Sequence, residues 1–104
     1  MKRGEAWWAN LPLPAGRRPV ILLSRDEAYA VRSAVSVAPV TRTYRAIPVE
    51  VQLGMEDGLS KPCVVNLDSI LTIPKARLLS KIALLSETKI VEIDQAIRFA
   101  LGLD

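Results

Sequence analysis

The sequence predicts a mainly β domain of the α+β class: a small, strongly bent barrel of five to seven short strands, finished by a C-terminal amphipathic helix. Three observations predict it. Short apolar or alternating runs recur at close spacing between turns that carry Pro and Gly. Only the segment after Ser86 changes to a helical period. The whole chain is 104 residues, enough for a single domain spanning 1–104 and for one modest core.

Taken in order, residues 5–9 form a first strand, and residues 12–16 a rigid exposed loop, because Pro removes backbone donors and Gly permits turns. Residues 19–24 are continuously apolar, the mark of a strand buried on both faces or central to a barrel. Residues 25–32 are polar and read as a loop or short turn. In residues 34–40, Val35, Val37 and Pro39 share one face. In residues 47–53, Ile47, Val49, Val51 and Leu53 alternate cleanly and are expected inward. Residues 54–58 turn the chain, residues 63–67 and 70–73 are further short strands, residues 74–77 break the pattern, and residues 82–85 supply a last strand. Ser86 is a good N-cap with Glu87 in the first turn. Ile90, Ile93, Ile97 and Leu101 then line one helix face, which stops at Gly102. Short strands followed by one helix describe an SH3-like or open barrel.

Composition limits the chemistry. The chain has no histidine, which removes the usual general base, the Ser-His and Cys-His nucleophile systems and nearly every zinc or iron site. Cys63 is the only cysteine, so no internal disulfide forms; its apolar run points to a buried, inert thiol. No apolar run approaches the roughly 18–20 residues that cross a bilayer. Glu5 and Trp7-Trp8 stand where a signal peptide would be apolar, so a cytoplasmic protein with no membrane segment is expected. Fourteen Lys and Arg against 11 Asp and Glu give a net charge of +3, unevenly spread. Residues 87–104 hold four acids and two bases; the rest of the chain is a basic body compatible either with nucleic acid or with a solvated surface.

Two places concentrate polar groups at the ends of apolar strands. In Gly16-Arg17-Arg18-Pro19, Pro19 fixes the backbone and pushes Arg18 toward an extended conformation. An Arg held at the lip of a strand suits phosphate, whose geometry its planar fork matches, although a solvated basic pair is the plainer alternative. In Pro39-Val40-Thr41-Arg42-Thr43, hydroxyls and a further Arg leave a buried strand and can line a pocket beside the first site, or merely satisfy backbone groups. Trp7 and Trp8 point to opposite faces of their strand, so at most one can offer a ring to a groove.

In order along the chain, Arg3-Gly4-Glu5-Ala6-Trp7-Trp8-Ala9-Asn10-Leu11, Arg18-Pro19-Val20-Ile21-Leu22-Leu23-Ser24, Val37-Ala38-Pro39-Val40-Thr41, Asn66-Leu67-Asp68-Ser69-Ile70-Leu71-Thr72-Ile73 and Lys75-Ala76-Arg77-Leu78 resemble the motifs of the MazF/PemK (Kid) family of toxin endoribonucleases. The resemblance implies a barrel of the CcdB–PemK type, a two-fold homodimer, and cleavage of single-stranded RNA at short sequences with no metal or other cofactor. It implies that Arg18 is the catalytic arginine and Thr41 the catalytic threonine. Arg17, Arg42, Thr43, Ser69 and Trp8 are the expected RNA contacts around them. A cognate antitoxin is the implied protein partner. Two departures stand out: loop 12–17 carries no acid, and Leu71 stands where many members have Arg. The competing readings are a non-cleaving gyrase poison of the CcdB type on the same fold, and a decayed homologue that only binds antitoxin.

Overall fold

The computed structural model describes residues 1–103. In chain order they form β1 (Glu5–Asn10), β2 (Arg17–Leu22), α1 (Ala28–Val31), β3 (Ala34–Thr41), β4 (Glu50–Leu53), β5 (Cys63–Asn66), β6 (Leu71–Pro74), β7 (Leu78–Leu84) and α2 (Glu87–Leu101). The seven strands make one antiparallel sheet in the order β4-β5-β3-β2-β1-β7, with β6 also on β3. The segment between β4 and β5 reaches the other end of this order, where Gly58 lies against Ala83 of β7. The sheet is thus bent into the expected barrel.

The apolar run of β2 explains the centre. Val20, Ile21 and Leu22 are all fully buried, and strand alternation sends them to two different cores. Ile21 joins Ala6, Ala38, Val51, Val65 and the helix residues Ile93 and Ala96. Val20 and Leu22 join Ala9, Leu11, Val35, Val37, Ile73 and the Tyr29 ring on the other side. The sheet therefore has no solvent face along β2, and β2 cannot slip by one residue without exchanging its side chains between two cores.

Several boundaries differ from expectation. β2 starts at Arg17, because Asn10 of β1 extends far enough to pair with it. Residues 25–32 contain the one-turn helix α1, held by burial of Ala28 and Tyr29; the Tyr29 hydroxyl donates to the Ser24 carbonyl at 3.1 Å. β4 starts only at Glu50. Ile47 is exposed rather than inward, since residues 42–49 leave the sheet as a loop and Pro48 offers no N–H to a ladder. β7 starts at Leu78, earlier than expected, because an edge strand paired only to β1 can keep Leu79, Ser80 and Lys81 in solvent.

Helix α2 keeps its expected caps: the Ser86 hydroxyl accepts from Lys89 N–H at 3.2 Å, and Gly102 closes the helix at φ 70°. Ile93 and Ala96 are its buried residues, with Ile90, Ile97 and Ala100 packed beside them. Leu101 is exposed, contrary to expectation; Ala100 takes its place against the core. The N-terminal segment is tied to this helix by an ion pair between Arg3 and Asp94 at 2.7 Å, and Arg3 Nε also donates to the Leu23 carbonyl. At the start of β1, the buried Glu5 carboxylate accepts from Lys2 N–H and from Trp7 Nε1, and pairs with Lys81 of β7 at 3.1 Å.

Candidate functional site

The site follows from where one ladder stops. β2 and β3 pair at Val20–Pro39, Ile21–Ala38 and Leu22–Val37. Continuing that register, Pro19 has no N–H with which to extend the ladder. β3 instead turns to β5, with Val40 and Thr41 paired to Val65 and Val64. The strands part, and a cleft of about 570 Å³ opens between them, lined by Trp8, Arg17, Arg18, Thr41, Arg42, Thr43, Lys61 and others. Arg18 of β2 and Thr41 of β3, each two residues along its strand from the last shared pair Val20–Pro39, both border this cleft.

Each group is held by its element. Arg18 is only partly exposed, and its Nε is buried with no hydrogen-bond partner among the described residues. Leaving such a donor unpaired costs about 1–3 kcal/mol, so an arriving acceptor gains by filling it. The Thr41 hydroxyl oxygen accepts from Thr43 N–H at 3.3 Å, which leaves its own proton free to donate. The Arg17 guanidinium lies over the Trp8 ring, 4.7 Å from its centroid. Trp7, on the opposite face, packs against the second core and donates to Glu5.

Charge in the cleft has one sign. Arg17, Arg18, Arg42 and Lys61 line it, and among the described residues no Asp or Glu does. Low-dielectric walls with cations of one sign focus the field on an anion. No group of three or more potential metal ligands occurs among the described residues.

Of the residues singled out from sequence, Arg17, Arg18, Thr41, Arg42, Thr43 and Trp8 all border this cleft. Ser69 does not. It sits in a turn before β6 and lines an adjoining apolar hollow with Leu11, Pro12, Leu71 and Arg18. Arg18 is therefore the wall between the two. Lys61 was missed: the sequence shows a cation between Ser60 and Pro62, but no periodicity tells which cleft a loop will border. Cys63 is half-buried on the cleft wall rather than fully buried. Burial, then the nearby Asp57 and Glu56, raises its thiol above the ordinary value, which disfavours the reactive thiolate.

Fold and site together define a small antiparallel barrel with a fixed cationic groove at a seam between strands. Residues 2–101 match the model of the PemK-like, MazF-like toxins of type II toxin-antitoxin systems, and the chain belongs to that family. It is 38% identical over 103 residues to a Mycobacterium tuberculosis protein named "Probable endoribonuclease MazF2", covering 98% of this chain and 99% of that one. Among solved structures, the Mycobacterium tuberculosis toxin MazF-mt6 superposes with a TM-score of 0.89 at 33% identity, covering 96% of this chain and 98% of that one. A mycobacterial endoribonuclease solved in complex with its cognate antitoxin superposes with a TM-score of 0.88 at 28% identity, covering 100% and 97%. The expected family and barrel are thereby borne out.

Proposed function

We propose that this toxin is an endoribonuclease that cleaves single-stranded RNA without a metal ion, using Arg18 and Thr41. The observation that carries the reading is that both border one cleft lined by four cations and, among the described residues, no acid. RNA brings its own nucleophile, so the protein need only align the 2′-oxygen with phosphorus and stabilise the charge that develops. The 2′-oxygen bonds to phosphorus and loses its proton, the bond from phosphorus to the 5′-oxygen breaks, and that oxygen gains a proton. The products are a 2′,3′-cyclic phosphate and a 5′-hydroxyl. Arg18 stabilises the phosphoryl oxygens as a cation; a guanidinium holds its proton too firmly to act as the base. Its NH groups also lie near the leaving 5′-oxygen in this reading. Thr41 donates to a non-bridging oxygen. Arg17, Arg42 and Thr43 hold flanking phosphates, Trp8 offers a ring to a base, and Ser69 contacts the strand as it passes over Arg18.

The names of the relatives support cleavage over a gyrase-poisoning or decayed toxin. The neighbour solved with its cognate antitoxin also supports an antitoxin partner. A homodimer and a cytoplasmic location complete the proposal; no described helix is long and apolar enough to cross a membrane. The test is incubation of the purified chain with mixed single-stranded RNA in EDTA, with the cut ends mapped. Cleavage by the natural chain and none by Arg18→Ala, with unchanged circular dichroism and melting, is expected. A strict need for divalent metal, or full activity in Arg18→Ala, would overturn it.

A further inference from the structure

Beside the Arg18–Thr41 cleft lies a second hollow of about 430 Å³, and the two share Arg42 and Cys63 as a common border. Its chemistry is different. Here Glu56 faces the space together with Tyr44 and Met55, which are 55% and 75% exposed. The neighbouring Asp57 carboxylate is taken up by Gly54 N–H at 2.9 Å, whereas the Glu56 carboxylate has no hydrogen bond or ion pair among the described residues. A free carboxylate repels phosphate, so a nucleic-acid backbone belongs in the cationic cleft and not here. A base edge with N–H donors is a fitting partner for the same carboxylate.

The loop that carries Tyr44 is built to hold its place. The Glu50 side chain is fully buried; it accepts from Arg45 N–H at 2.8 Å, and the Arg45 guanidinium lies 3.8 Å away. The next residue, Ala46, adopts the left-handed conformation at φ 56°, which a non-glycine residue keeps only where its surroundings impose it. Tyr44, immediately before Arg45, is therefore an exposed aromatic on a restrained loop.

We infer that this second hollow is a base-recognition subsite. With the RNA backbone across the cationic cleft, the adjoining base turns past Arg42, stacks on Tyr44 and donates an exocyclic amine hydrogen to Glu56. Cytosine, adenine and guanine carry such an amine. Uracil presents a carbonyl oxygen at the matching position, which would set two acceptors face to face. The inference rests on the single-stranded RNA reading of the first cleft and assigns the neighbouring space a preference for amine-bearing bases.

The test measures binding apart from cleavage, using 2′-O-methyl 12-mers of cytidine and of uridine, which lack a free 2′-nucleophile. The natural chain should bind the cytidine oligomer roughly five-fold or more tightly than the uridine oligomer. Glu56→Gln should erase that difference, since an amide can serve either edge. Tyr44→Ala should weaken both roughly ten-fold while Tyr44→Phe binds normally, as loss of one stacked base predicts. Equal affinity of the natural chain for the two oligomers, or unchanged binding by a folded Tyr44→Ala, would overturn the subsite. Failure to bind either oligomer would overturn it together with the RNA reading. The predicted ranking with no cleavage of matching cytidine-containing RNA would leave the subsite standing and sink the endoribonuclease.

Discussion

Arg18 of β2 and Thr41 of β3 border one cleft, each two residues along its strand from the last pair that β2 and β3 share, Val20–Pro39. Groups that act on one phosphate as a unit are non-additive when removed. Arg18→Lys keeps the charge and loses the fork, and should lower single-turnover cleavage at least about ten-fold. Thr41→Val should lower it about 10²-fold, the scale of losing one transition-state donor. The double variant Arg18→Lys/Thr41→Val should be scarcely slower than Thr41→Val alone. Rate losses that multiply would show that the two residues act at separate places.

The stacked pair Arg17–Trp8 gives a prediction in salt. Four cations line the cleft, so a plot of log affinity against log salt for single-stranded RNA should have a slope of about −3 at most, near −0.7 per phosphate neutralised. Arg17→Ala should flatten it by about 0.7 while uncovering the Trp8 ring. An unaltered slope would mean that Arg17 spends its charge on Trp8 alone.

Glu5 links stability to pH. Burial by itself raises its carboxyl, but hydrogen bonds from Trp7, Lys2 and Lys81, with the charge of Lys81, outweigh burial and set it below the ordinary 4.5. The unfolded chain therefore binds the proton first. The resulting stability is fully present above pH 4.5 and is lost as pH falls through the lower folded value. Chemical denaturation across that window should show the decline in the natural chain. Glu5→Gln, destabilised by about 1–3 kcal/mol at pH 7, should show less of it.

Gly58 has φ 91°, and a Cβ there would lie 2.5 Å from the Ala83 Cβ. Gly58→Ala should cost about 2–4 kcal/mol, from the left-handed backbone plus the overlap with β7. Adding Ala83→Gly should recover only the overlap, which thermal melts of the two variants would separate.

Much of the fold was legible because burial wrote it locally. The run Val20-Ile21-Leu22 announced a strand covered on both sides, and the isoleucine spacing after Ser86 announced the helix. What escaped notice depended on neighbours. Ile47 looks like a strand residue, yet its segment leaves the sheet; Leu79, Ser80 and Lys81 look like loop, yet β1 supplies their partner. The site was half legible in the same way. Arg18 and Thr41 each mark a strand end, but their sharing a cleft depends on where β2 and β3 part, and Lys61 and Ser69 reach their hollows through turns that no alternation describes.

β3 divides eight residues among three partner strands: Ala34 to Val37 on β6, Val37 to Pro39 on β2, and Val40 with Thr41 on β5. Thr41 cannot travel without unzipping one of them. A groove fixed this firmly before anything binds has little disorder to surrender on occupation, and little latitude to be talked out of its shape from a distance. Silencing it is a matter of tenancy: whatever quiets this toxin does best by sitting in the groove itself.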